Sequence, residues 1–344
     1  MDLATQLNDQ RRKVAFDTYD ITVQQLVTMF RDGAIDIAPA YQRQYRWDDA
    51  RQSRLIESIF LGIPVPSLYM AANADGTWEL VDGVQRLSTL VRFAGDESLR
   101  NKAKITTPLT LNGLEKLSEF NGKSFENLPS SLQLQFNLRP VKVVTLNDKS
   151  DLVVRFDLFE RLNTGGVSLT DQEIRSCIYR GEFDGFLERL SQNDSFRTVV
   201  RLPQSGEKDG TRQEFVLRFF AFLHRYKHFR HSVVDFLNDY MGEASKNFEY
   251  SSNEKLFLNT FSALAHALPD GLYRHTHKIT PVNLFEAVCV GAALAHRSKG
   301  KINTRGMGRW ITSTDLRKLT TGATNTPKMV SGRIEFCRDR FISG

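Results

Sequence analysis

Four residues in one short turn carry the chemistry that this sequence signals most plainly. Asp82, Gly83, Gln85 and Arg86 follow Trp78-Glu79-Leu80-Val81, which reads as the end of a strand. They precede an apolar spacing at Leu87, Leu90 and Val91 that reads as an amphipathic helix stopping at Gly95. A helix N-terminus presents unpaired backbone N–H groups and the positive end of the helix dipole, so it favours an anion. Gly83 lets a ligand approach the backbone closely, and Arg86 adds a planar fork of donors. An acid, an amide and an arginine at such a junction suit phosphate chemistry. A plainer account stays open beside it, in which Asp82 caps the helix and Arg86 forms a structural ion pair.

Two further stretches have the same character. Residues 39–47 interleave Tyr41, Tyr45 and Trp47 with Gln42, Arg43, Gln44 and Arg46. The stretch precedes a helix that Asp48 or Asp49 can cap, with Leu55, Ile56, Ile59 and Phe60 on its apolar face and Gly62 at its end. Arg43 and Arg46 could clamp phosphates while an aromatic ring stacks on a base. Equally, the rings could be half-buried anchors and the arginines surface partners for acids. In Glu160-Arg161-Leu162-Asn163-Thr164-Gly165-Gly166, successive glycines can expose N–H groups to an anion and Asn163 can donate to a phosphate or base. A glycine C-cap between two helices would explain that turn as well.

The elements that must position these residues are mixed in the first half and helical in the second. Residues 1–13 show no periodicity. Ile21, Leu26, Met29 and Phe30 mark a short helix ending at Gly33, and residues 35–37 a brief strand. Residues 66–70 and 77–81 read as strands joined by Asn73-Ala74-Asp75-Gly76, and residues 141–146 as another strand after Pro140. Turn signals break residues 97–137 into small pieces, and residues 151–162 read as a helix. Thr170-Asp171-Gln172-Glu173 is a capping box that opens a helix running up to Gly181. Beyond it, helical patterns cover residues 183–190, 213–226, 233–241, 254–268, 281–295 and 328–341, and residues 191–212 form the longest connection. The expected fold class is α+β: a small mixed-sheet domain over residues 1–180, then a mainly helical domain over residues 181–344.

Bulk properties narrow the function classes. A hydrophobic content of 41% and a charged content of 25% over 344 residues are those of a globular protein. No apolar run approaches a membrane span and no signal-peptide pattern opens the chain. Cys177, Cys289 and Cys337 are too scattered for a disulfide framework or a thiolate metal cluster. A cytoplasmic location without a membrane is therefore expected. The net charge of +6 is uneven: residues 297–344 hold eleven Lys/Arg against three acids, or +8, leaving −2 for the rest. That asymmetry fits a polyanionic partner or a solvated helical face. His224, His228 and His231 have a spacing that could hold zinc, but the cations between them disfavour a dication. His275 and His277 read as surface basic residues.

Several of these pieces, in this order, resemble one family. Tyr41-Gln42-Arg43-x-Tyr45-x-Trp47, Leu55-Ile56-Glu57-Ser58-Ile59 with Gly62-Ile63-Pro64-Val65-Pro66, and Val81-Asp82-Gly83-Val84-Gln85-Arg86-Leu87 are similar to the N-terminal domain of GmrSD-type modification-dependent restriction proteins. Phe159-Glu160-Arg161-Leu162-Asn163-Thr164-Gly165-Gly166 with Glu173-Ile174-Arg175 resembles that family's downstream motif. The resemblance covers the first half of the chain firmly and the helical half loosely. It implies a ParB/sulfiredoxin-like fold for the first domain and an NTPase whose Asp-Gly-Gln-Gln-Arg motif works with a divalent cation such as Mg2+ in restriction and phage defence.

Carried over residue by residue, the resemblance implies that Asp82 positions the metal or the attacking water. It implies that Gln85 orients water or phosphate, that Arg86 holds phosphate oxygens and that Gly83 supplies backbone N–H. Gln42, Arg43 and Arg46 would support the triphosphate, with Arg161, Asn163, Thr164 and Gly165 on the opposite wall. Two departures stand out: Val84 replaces the first Gln of the motif, and no His-x-x-Pro nuclease motif follows, so DNA cutting is expected to need a separate nuclease subunit. The partners so implied are a nucleoside triphosphate and DNA, with homo-oligomerisation left open. Two rival expectations are a nucleotide-gated DNA-binding module that does not hydrolyse, and a ParB-like nuclease.

Overall fold

The computed structural model describes residues 2–11, 16–37, 47–73, 75–146, 170–204, 206, 209–274, 278–322 and 324–343. It divides into two compact units, Met1–Ser168 and Leu169–Gly344.

The first unit is built on a mixed five-stranded sheet. Its elements run α1 (Leu3–Arg11), β1 (Phe16–Thr22), α2 (Val23–Arg31), β2 (Ile35–Asp36), α3 (Asp49–Leu61), β3 (Leu68–Ala72), β4 (Trp78–Asp82), α4 (Val84–Ala94), α5 (Glu97–Lys102), α6 (Ser130–Asn137) and β5 (Pro140–Leu146). The strand order is β1-β5-β3-β4-β2. β1 is antiparallel to β5, β5 parallel to β3, β3 antiparallel to β4 and β4 parallel to β2. The fold class is α+β, as the sequence predicts.

Strand β1 departs from the local reading, which places Ile21 on a helix. Phe16 to Thr22 pairs residue by residue with β5, from Phe16 opposite Leu146 to Thr22 opposite Pro140. The helix starts only at Val23, where the Thr22 hydroxyl accepts the Gln25 N–H at 3.2 Å. β-Branched and aromatic side chains suit that pairing, but the partner strand lies far along the chain, so local periodicity does not show it. Helix α1 also forms in a stretch without periodicity, and its described side chains are exposed, consistent with a helix that buries no face.

Helices α3, α4 and α6 are joined by aromatic rings. Phe136, fully buried, packs at 4.9 Å from Phe60 and 5.3 Å from Phe93 (centroid to centroid). On the sheet side, Leu68, Met70, Leu80 and Val143 are at most 1% exposed. Burial on this scale, about 1.5–3 kcal/mol per large apolar side chain, fixes where β4 ends and α4 begins.

The second unit is helical. Its longer elements are α7 (Asp171–Ile178), α8 (Glu182–Ser191), α10 (Thr211–Arg225), α11 (Val233–Ala244), α12 (Tyr250–Ala267) and α17 (Pro327–Ser343). The other α-helices are α9 (Asp194–Val199), α13 (Val282–Phe285), α14 (Gly291–Lys299), α15 (Met307–Trp310) and α16 (Thr314–Thr320). The capping box is present on α7, with both the Thr170 and the Glu173 bonds formed. Helix α10 buries Phe215, Val216, Leu217, Phe219, Phe220, Ala221, Phe222 and Leu223, which makes it apolar nearly all round and central to the unit. Residues 281–295, expected as one helix, contain a π-helical turn, Glu286–Val290, between α13 and α14.

That turn holds Glu286 in the core. Glu286 accepts from Arg218 at 2.8 Å and pairs with Arg333, and both of these side chains of the Glu286–Arg333 pair are at most 1% exposed. Arg218 also pairs with Glu214 at 2.8 Å, and Glu214 with Arg175 at 2.5 Å. Removing one member of such a network strands the remaining charges in a low-dielectric interior. Glu286→Ala is therefore expected to destabilise this unit by about 3–5 kcal/mol, measured by denaturant unfolding of the whole chain.

Asp184, on α8, accepts from the Gln213 side-chain amide at 2.8 Å. Burial, only partly offset by hydrogen bonds from Ser176 and Gln213, pushes its carboxyl up to about 6. Because the folded state holds this proton more tightly than the unfolded state, its contribution to stability falls as the pH rises from about 4 to about 6. Asp184→Asn should remove that slope and make the variant more stable than wild type at pH 8, by about 1–3 kcal/mol in paired pH-dependent melts.

Candidate functional site

The junction between β4 and α4 depends on Gly83. It is the helix N-cap, with φ +107° and ψ +17°, a left-handed conformation that side-chain-bearing residues seldom adopt. A Cβ there would lie 2.4 Å from Leu68 Cδ2 and 3.1 Å from Arg86 Nη2, so both the backbone and the surrounding space require glycine. One residue earlier, the β3–β4 register shifts between Tyr69 and Met70, leaving Tyr69 opposite Asp82. A bulge at a strand end re-aims the side chains beside it, and Asp82 is one of them.

Arg86 is the third residue of α4. A cation near a helix N-terminus is electrostatically misplaced unless an anion joins it. Asp82 Oδ2 accepts from Arg86 Nη2 at 2.7 Å, and the Ser67 carbonyl accepts from the same nitrogen at 3.1 Å. The guanidinium thus ties the chain entering β3, the end of β4 and the first turn of α4 together. Its Nε is buried and has no hydrogen-bond partner among the described residues. The Asp82 side chain is 41% exposed and that of Arg86 14%, so the acid opens to solvent above a guanidinium that does not. The ion pair of the plainer account is present, but the cap is not: no side chain among the described residues caps this helix.

Gln85 turns toward the preceding helix. Its Oε1 accepts the Trp47 N–H at 3.3 Å, while Gln52 Nε2 donates to the Trp47 carbonyl at 2.8 Å. Two amides, one from α4 and one from α3, grip both sides of one residue, and the Arg51 guanidinium lies 4.6 Å from the Trp47 ring centroid. No local sequence pattern signals this link, since Trp47 and Gln85 are 38 residues apart. Val84, the departure from the family motif, is 8% exposed and belongs to the apolar core.

The structure joins Asp82, Gly83, Gln85 and Arg86 at one place. Gln42, Arg43, Arg46, Arg161, Asn163, Thr164 and Gly165 lie outside the described residues, as do His275 and His277. His224 uses both ring nitrogens internally, with Tyr240 Oη at 2.8 Å and Asn253 Oδ1 at 3.0 Å. Burial also holds its pKa below the usual histidine value. No group of three or more metal-ligating side chains is found among the described residues. Of the eleven cations in residues 297–344, nine are exposed; Arg333 is buried in the Glu286 network, and Arg338 is partly covered and donates to Asp339 at 2.8 Å.

These features define an α+β domain whose strand-to-helix junction combines a largely covered guanidinium, a partly open carboxylate and a helix N-terminus without a side-chain cap among the described residues. Residues 23–180 match the family model described as GmrSD restriction endonuclease, N-terminal domain. That match suggests a component of a restriction or phage-defence system. No curated protein and no solved structure matches the chain. No helix among the described residues is long and apolar enough to cross a membrane.

Gly83→Ala is expected to cost more than 2 kcal/mol, since left-handed strain of about 1–2 kcal/mol adds to a clash with the fully buried Leu68. Gly76→Ala, also at positive φ but with nothing within 4 Å of the new Cβ, should cost only the strain. Denaturant unfolding of the two variants side by side measures the difference.

Proposed function

We propose that the Asp82–Arg86 junction binds a nucleoside triphosphate and, with a divalent cation such as Mg2+, hydrolyses it within a restriction or defence system acting on DNA. The observation that carries this reading is Arg86: an arginine at the positive end of an uncapped helix, with a buried Nε that no described residue satisfies. An unsatisfied buried donor costs about 1–3 kcal/mol, which a ligand oxygen would recover.

The residues suit Mg2+ of one kind only. Mg2+ at nucleotide sites is commonly held by one or two carboxylates together with the substrate phosphates, and Asp82 can serve in that way. When bound, the cation would neutralise developing charge on the phosphoryl group. Arg86 would hold phosphate oxygens, the first turn of α4 would add N–H groups, and Gln85 would position Trp47. No cluster of carboxylates among the described residues favours the two-metal nuclease reading.

With the wild-type chain, Mg2+ and each of the four NTPs, phosphate release is expected, and Asp82→Ala or Arg86→Ala should lower it by about 100-fold or more. Release that is unchanged in both variants would overturn the reading. A second reading, a DNA-binding module that binds nucleotide without turnover, draws on the nine exposed cations of residues 297–344. It requires DNA affinity that falls steeply with salt and no phosphate release.

A further inference from the structure

Beside the junction lies a cleft of about 280 Å³, lined by Trp47, Asp49, Gln52, Gln85, Ser88, Thr89, Arg92 and residues 104–107. Gln85, Ser88, Thr89 and Arg92 are spaced as one face of α4, so the helix that begins at the phosphate-suited turn continues as the cleft wall. Three features bear on what the cleft holds. Ser88, one of the lining residues, is 3% exposed, and its buried Oγ has no hydrogen-bond partner among the described residues. Buried hydroxyls are normally satisfied, by protein, water or a ligand.

Arg92 is already engaged. It donates to Asp49 at 2.5 Å, to Gln52 at 3.2 Å and to the Thr107 carbonyl at 3.1 Å. With the Asp49 carboxylate in the wall, the cleft is poorly suited to a second phosphate. What it offers instead is an indole ring, two side-chain amides and hydroxyls, the mixture that stacks on and hydrogen-bonds a planar heterocycle. Lys104, at the rim, holds the one left-handed non-glycine backbone among the described residues (φ +59°). Its N–H donates to the Asn101 carbonyl at 2.9 Å, closing α5 where glycine would be less strained.

We propose that this cleft receives the nucleobase of the nucleotide whose phosphates occupy the Asp82–Arg86 junction, with Ser88 and Gln52 reading the base edge and Trp47 packing on its face. The inference rests on the nucleotide reading above and extends it from phosphate binding to base selection. A volume just below the range of about 300–1,000 Å³ for small-molecule sites suits a base, not an entire triphosphate. Gln85 would serve both ends, since it lines the cleft and neighbours Arg86 in the chain.

The test compares binding of each NTP with binding of inorganic tripolyphosphate, which has phosphates but no base, by calorimetry on the full chain with Mg2+. Wild type is expected to bind its preferred NTP at least 10-fold more tightly than tripolyphosphate. Ser88→Ala, which removes an unsatisfied hydroxyl and should keep the melting temperature, is expected to lose most of that advantage while binding tripolyphosphate as before. In the wild-type chain, NTP but not tripolyphosphate should change tryptophan fluorescence, and Trp47→Phe should abolish that change. Equal affinity for NTP and tripolyphosphate, or NTP affinity unchanged in Ser88→Ala with no fluorescence response to NTP in wild type, overturns the base pocket and leaves the phosphate site standing. Binding of neither ligand by wild type overturns both.

Discussion

An arginine at the positive end of a helix is the constraint around which the first unit is arranged. Arg86 cannot rest there without negative charge, and it is answered from two sides, by the Asp82 carboxylate and the Ser67 carbonyl. To bring these groups within reach, β3 must shift register at Tyr69, β4 must end at Asp82, and the chain must turn through Gly83 in a left-handed conformation against Leu68. The apolar packing of α4 on α3 and α6 through Phe60, Phe93 and Phe136 then holds the turn in place. The buried Nε is left without a hydrogen-bond partner among the described residues.

The second unit handles charge in the opposite way. Arg175, Glu214, Arg218, Glu286 and Arg333 pair with one another inside a core otherwise crowded with phenylalanine, and only the Arg333 Nε of these five side chains is buried without a partner among the described residues. Such a network contributes less to net stability than to specifying which helices meet, because desolvation offsets most of the Coulombic gain. Its presence also changes the meaning of the basic C-terminal segment. Arg333 counts toward the charge of that segment but not toward its surface, and the charge available to a polyanion is carried by the exposed residues alone.

Much of the architecture was legible in local patterns. The helix over α3 with its Asp48 cap and Gly62 stop, the β3 and β4 strands, the Thr170–Glu173 capping box and the helical second unit each have a short-range physical signal. Strand β1 was not legible, because its stability comes from β5, and a local window over Ile21 to Phe30 favours a helix. The π turn at Glu286 was hidden for a similar reason: it is set by a buried partner, Arg333, forty-seven residues away. At the site, the strand, glycine and helix order was readable, whereas the grip of Gln85 and Gln52 on Trp47 was not.

The sequence by itself determined most of the elements, the glycine at the junction, the charge asymmetry and the family resemblance, since these depend on composition, on residues a few positions apart or on ordered motifs. Only the tertiary structure decided that Asp82 pairs with Arg86 instead of capping the helix, that Val84 belongs to the core, and that Ser88 and Trp47 line one cleft. Those outcomes depend on which distant strand, helix or carbonyl occupies the neighbouring space, and packing settles that only when the whole unit has closed.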